Sequence, residues 1–274
     1  MRRKAARLGI FRHRARWAGL CALLGALISL SHAFAAPQAS AGGNAAQSWR
    51  AVAPLLQPRS DNNPGGLLNV DEWNTLWGLQ SRQDLSSAEI EQARVFVSRL
   101  EPAMTLLDDA SAQRRCDFEL DRTQGFSLKL PHLTTMRAGT RMLMLRAEIL
   151  ASDGDMKGFV DAQAALVRVA MQPVQDETTI SGMVGQAIAA TGMISMRRAI
   201  DDGAITQPLA KDALEALAPL RGDDPMRTAD APAREFEMLQ AELTRAAGRH
   251  QDGREFRRDF KERLDRKSTR LNSS

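Results

Sequence analysis

PHLTTMRAGTRMLMLRAEILASDGDMKGFVDAQAALVRVAMQP, residues 131–173, decides the fold class. Pro131 suits the first turn of a helix, where its missing N–H removes no bond. Leu133, Met136, Thr140, Leu143, Ala147 and Leu150 then recur at helical spacing on one face. Ser152-Asp153-Gly154-Asp155 carries turn chemistry. A second helix follows, with Phe159, Ala162, Leu166 and Val169 inward and Pro173 at its end. Two helices joined by so short a turn must lie antiparallel.

The same period extends in both directions. Downstream, a helix is expected from about Thr178 to Ile200, stopped by Asp202-Gly203. Others run from Leu209 to Leu217 behind Thr206 and Pro208, and from Ala233 through Phe236, Leu239 and Leu243. Upstream, Trp49, Val52 and Leu56 form a short helix that Pro58 and the turn Asn62-Asn63-Pro64-Gly65-Gly66 must end. Trp73, Leu76 and Trp77 make an i, i+3, i+4 stripe. Ser86 and Glu89 form a capping box ahead of Ile90, Ala93, Val97, Leu100, Met104 and Leu107, with Pro102 kinking or splitting that helix. Residues 111–130 lose the period and are expected as an irregular connector. Strand-type runs of β-branched and aromatic residues are absent, so the class is all-α: antiparallel helical hairpins stacked in a short solenoid-like array.

The hairpin from Pro131 to Pro173 is similar to a tetratricopeptide repeat, although Phe159 stands where that repeat places a small residue and no second copy follows at its 34-residue period. The wider order is an exported chain, a Trp helix, a Cys-Asp-Phe connector and then this hairpin. Over roughly residues 45–220 it resembles exported helical proteins of bacteria. That resemblance implies a TPR-like, solenoid-like fold and no particular activity.

The ends differ from the body. Of 274 residues, 37 are Lys or Arg and 33 Asp or Glu; residues 1–36 hold seven basic and no acidic residues, and the last ten hold three basic and one acidic. What remains is net acidic, which argues against a nucleic-acid partner. Residues 1–35 read as a secretory signal peptide. A basic stretch ends at Arg16, an apolar run of roughly 14 residues covers Trp17 to Leu30, and Ala33-Phe34-Ala35 offers a cleavage site after Ala35. The run is short of the about 20 residues of a permanent span, so no membrane span is expected once the signal is removed. Leu20 before Cys21 does not fit a lipoprotein signal. The expected location is periplasmic or secreted, with residues 36–47 a flexible leader and 48–264 a single helical domain. Asp265 to Ser274 resembles read-through of a common sequencing adaptor, since GAT CGG AAG AGC ACA CGT CTG AAC TCC AGT encodes that peptide in full. The resemblance implies a non-native tail at 265–274 and native residues after about Arg263 that this sequence lacks.

Candidate chemistry is sparse. No phosphate loop, dinucleotide Gly fingerprint, G-x-S-x-G elbow or H-E-x-x-H motif occurs, and no cofactor is expected. His13 and His32 belong to the signal, leaving His132 and His250. Cys116 is the lone mature cysteine; it reads as a buried small hydrophobe, with an intermolecular bridge or a reactive thiol as alternatives. Asp117, Glu119 and Asp121 alternate with Phe118 and Leu120. In an extended segment they share one face, where they either bind a hard cation or do acid–base work with His132, or simply face solvent. His132 alone at a helix start reads as a surface residue. Asp153 to Asp161 imitates the start of a calcium loop, but Lys157 and Ala164 stand at ligand positions, which excludes it. Ser181, Gly185 and Ala189, four apart in the uncharged stretch Ile180–Met196, predict a buried helix closely approached by another. Arg221-Gly222-Asp223 carries almost no information. Arg245 to Arg263 alternates charge, with Arg258–Glu262 and Asp259–Arg263 at i, i+4, as a solvated helix does. The function expected is a non-enzymatic protein–protein interaction or scaffold module with another envelope protein as partner. The alternative is an envelope hydrolase or metal-dependent enzyme using Asp117, Glu119, Asp121 and His132, or residues beyond Arg263.

Overall fold

In the computed structural model the described residues are 43–80, 82, 84–249, 258 and 262. The signal peptide, most of the leader, His250, the adaptor-like tail and nearly all of the charged 245–263 stretch lie outside them. Nine α-helices occur among the described residues: α1 (Ala45–Val52), α2 (Val70–Gln80), α3 (Ser87–Arg99), α4 (Glu101–Ala112), α5 (Pro131–Ser152), α6 (Met156–Ala170), α7 (Thr179–Asp201), α8 (Gln207–Ala216) and α9 (Ala231–Arg249). No strand is present among those residues, only isolated bridges such as Asn44 with Arg115. The protein is all-α. None of the described helices is long and apolar enough to cross a membrane.

Local signals set most boundaries. The Ser86–Glu89 capping box forms, its two bonds satisfying reciprocal backbone N–H groups at the start of α3. Pro102 splits the expected long helix: α3 ends at Arg99 and α4 begins at Glu101. Thr178 caps α7, accepting the Ser181 N–H at 3.1 Å. The leader ends earlier than expected. Asn44 caps α1, so Ala45, Ala46 and Gln47 are helical, and the two alanines are fully buried. The stripe on α2 is also narrower than expected, because Leu76 is buried whereas Trp77 is exposed beneath the Arg141 guanidinium, 3.7 Å from its ring.

The main core joins α1, α3, α4, α5 and α6 around Trp49, Met104, Leu107, Met136, Leu143 and Leu166. A smaller cluster of Phe159, Val160, Met196, Ala199 and Ala213 binds α6 to α7 and α8. Helix α6 lies between α5 and α7 and packs extensively on both. At Gly185 a Cβ would stand 2.6 Å from the Ala170 carbonyl oxygen, so only glycine permits this approach of α7 to the end of α6. The close approach expected from Ser181, Gly185 and Ala189 is present and all three are buried, but α7 is not a buried helix as expected, because its opposite side is exposed.

Two glutamines secure the connector. Trp49 Nε1 donates to Gln172 Oε1 at 2.6 Å, while Gln172 Nε2 donates to the carbonyls of Ala110 (2.6 Å) and Gln113 (3.0 Å). Gln175 accepts from the Cys116 N–H at 2.9 Å and donates to the Arg114 carbonyl at 2.8 Å. An irregular segment cannot satisfy its own backbone groups, so these side chains supply the partners that a strand or helix would.

Candidate functional site

His132 follows Pro131 in the first turn of α5 and is buried, against the expectation of a surface position. Its side chain is 6% exposed and that of Asp176 3%, and His132 Nε2 lies 2.7 Å from Asp176 Oδ2. Asp176 belongs to a 3-10 turn, Pro173–Asp176, between α6 and α7. The same Oδ2 accepts the Ser181 hydroxyl at 2.8 Å, and Thr178 Oγ1 donates to Ser181 Oγ at 2.9 Å. Phe118 stacks on the imidazole at 3.9 Å between centroids. Asp176 is tolerated in the core because it hydrogen-bonds with both His132 and Ser181.

Ser, His and Asp thus meet, but not as a nucleophile relay. In such a relay the imidazole stands between hydroxyl and carboxylate and takes the hydroxyl proton. Here hydroxyl and imidazole both bond one carboxylate oxygen, Ser181 is 0% exposed, and nothing orients its oxygen toward a reacting group. The arrangement fixes the start of α5 to the start of α7.

The acidic trio does not assemble. Glu119 has φ +55°, which breaks the extended alternation at its centre. Asp117 accepts from Arg115 (2.9 Å) and from the Glu119 N–H (2.8 Å), and these bonds hold its carboxyl below the usual range. Glu119 is exposed, and Asp121 accepts the Thr123 N–H at 3.1 Å. His132 bonds to Asp176 instead of any of the three. Among the described residues no group of three or more His, Cys, Asp or Glu is placed to hold a metal ion. Cys116 is a buried free thiol; burial, with the charges of Asp176 and Asp117, pushes its pKa well above the ordinary value.

The accessible feature of interest is a groove of about 310 Å³ lined chiefly by α5 and α7, with Leu79, Gln80, Arg82 and Leu85 also on its wall. Leu145 and Ile188 are buried along it, and Arg137 and Arg141 of α5 reach it one turn apart. Neither arginine has an ion-pair partner among the described residues; burial and the Arg137 charge push the pKa of Arg141 down. Glu148, also on the groove, accepts the Ser195 hydroxyl at 2.8 Å. The large apolar residues that α7 exposes are Ile180, Met183 and Ile194 on the side of the groove, and Met193 and Ile200 about 100° or more further round the helix.

The sequence reading missed Asp176, the groove and the exposed face of α7. The spacing of the last was visible, but its direction depends on which neighbour covers the opposite side. No family model, curated protein or solved structure matches this chain.

Proposed function

We propose that the chain is a non-enzymatic interaction module of the cell envelope, exported by the segment 1–35, with its helices arranged as a short TPR-like stack. The carrying observation is α7, whose exposed residues include five large apolar side chains on a helix uncharged from Thr179 to Met196. Exposed apolar side chains are ordinary when scattered; concentrated on one helix next to a groove, they mark an interaction face. The α5–α6 hairpin with α7 laid against α6 supports the stacked arrangement, in which successive helices leave a groove for a partner. The burial of His132, Asp176 and Ser181 removes the most reactive grouping from any substrate.

The test is site-specific photo-crosslinking in the native host, with a photoreactive residue at Met183 or Ile194 and, as control, at Asp202 beyond the helix. A discrete adduct from the α7 positions alone, in the envelope fraction, is expected. A saturable hydrolytic turnover lost in His132→Asn at unchanged melting temperature would overturn the reading.

A further inference from the structure

We infer that the groove between α5 and α7 receives an acidic amphipathic helix of a partner protein, an inference that rests on the interaction-module reading.

The shape argument comes from α7. Ile180, Met183, Ala187, Ala190 and Ile194 are all exposed and follow one another at intervals of three, four, three and four residues. That is the spacing of a knobs-into-holes seam, here without its second helix. Ala187 and Ala190 leave the middle of the seam shallow, so another backbone can approach closely. A lipid surface would be met better by bulky side chains there. The groove borders this seam: Ala187, Thr191 and Ile194 line it, and it runs from Arg137 to Glu148 along α5 and from Ala187 to Arg198 along α7. At 1.5 Å per residue that is about 16 Å, or roughly three turns of an added helix.

The charge argument comes from α5. Arg137 and Arg141 stand one turn apart at the groove with no carboxylate in ion-pair range among the described residues. Arg141 is held in place by stacking on Trp77. Arg82, also on the groove, is already engaged by Glu89. Two guanidiniums a turn apart match carboxylates at i and i+4, or i and i+3, on a facing helix. The chain's own terminal stretches, 1–42 and 250–274, are net basic and so are poor occupants of an arginine-lined groove.

The occupant thus places apolar residues on the α7 seam and carboxylates toward Arg137 and Arg141. The probe is a fluorescein-labelled helical peptide of three heptads, Leu at a and d and Glu at e and g, with a twin carrying Lys at e and g. Anisotropy titrations on the full chain at low salt are expected to show the Glu peptide binding at least ten-fold more tightly, and losing that advantage at high salt. Arg137→Glu/Arg141→Glu should invert the preference, and the milder Arg137→Gln should reduce it at an unchanged melting temperature. Equal binding of the two peptides overturns the inference while leaving the interaction-module reading intact. Binding of neither also overturns it, and the crosslinks at Met183 and Ile194 then decide the wider reading separately. Decanoate bound in an Arg137- and Arg141-dependent way would assign the groove to an acyl anion. Adsorption to anionic vesicles through the same residues would assign it to a membrane surface. A dimer of the free protein dispersed by Met183→Glu would assign it to a second copy.

Discussion

Replacing Gln163 by Met should stabilise the protein. Gln163 sits in α6 facing α7, is 2% exposed, and neither its Oε1 nor its Nε2 has a hydrogen-bond partner. Its oxygen lies 2.9 Å from where a Cβ on Gly192 would stand, so the amide fills the gap that this glycine leaves between the helices. Leaving a buried polar group unpaired costs about 1–3 kcal/mol, and both ends of this amide are unpaired. Met keeps the chain length and removes both penalties, but has one heavy atom fewer. A residual void of about 20 Å³ at about 24 cal/mol per Å³ returns roughly 0.5 kcal/mol. The two penalties less the void leave an expected net gain of about 1.5–5.5 kcal/mol. At about 2–4 °C per kcal/mol for a chain of this size, that raises the melting temperature by about 3–20 °C. Scanning calorimetry of wild type and Gln163→Met at one pH reads it directly, with urea midpoints as an independent measure. A melting temperature at or below wild type would refute the reasoning, because it would mean that the amide is satisfied in the folded protein.

Two further outcomes follow from the packing and the charges. Gly185→Ala should destabilise by more than the about 1–3 kcal/mol of ordinary overpacking, since its methyl meets the backbone oxygen of Ala170 at 2.6 Å rather than a side chain able to move; denaturant midpoints measure it. Stability should also fall in acid. Asp153 is held below its usual pKa by Arg94, Glu72 by Arg99 and the Asn69 N–H, and Asp117 by Arg115 and the Glu119 N–H. Groups whose folded pKa is depressed contribute stability that is whole above the unfolded value, about 4, and lost as pH falls through the folded value. The melting temperature should therefore be level from pH 7 to about 5 and drop below about 4. Asp153→Asn should start slightly lower and drop less, the effect being small because the pair is solvent-screened. A profile that rises on acidification would contradict the assignment.

What the sequence made legible was what local rules govern. Pro131 at a helix start, the Ser86–Glu89 box, the Asp153–Asp155 turn and the inward face from Leu133 to Leu150 all depend on residues within a turn or two of each other, and they stand as read. The misreadings involve pairs distant in the chain. His132 and Asp176 are separated by 44 residues, Trp49 and Gln172 by 123, and neither Asp176 nor Gln172 is marked by any period. Glu119 failed for the opposite reason: alternation of charge suggested a strand, but one left-handed residue turns the chain so that Asp117 can bond its N–H. Of three carboxylates that looked convergent, Asp117 and Asp121 accept local bonds and Glu119 faces solvent.

The two readings of α7 are consequences of one constraint. Ser181, Gly185 and Ala189 drift slowly around a helix of 3.6 residues per turn, and burying them against α6 fixes its rotation. Asp176 accepts the Ser181 hydroxyl, Glu177 receives Arg122 at 3.1 Å and Arg234 at 3.2 Å, and Glu235 accepts the Thr179 N–H at 2.9 Å, so the helix start cannot turn. With that face inward, Ile180, Met183 and Ile194 have no direction left but outward. The outer face of α3 is mainly polar, with Glu91, Gln92 and Ser98 around one exposed Val95, whereas the outer face of α7 carries several large apolar residues. The proposed partner surface accounts for the larger apolar exposure of α7, and the polar cluster at its N-terminus fixes the rotation that leaves Ile180, Met183 and Ile194 outward.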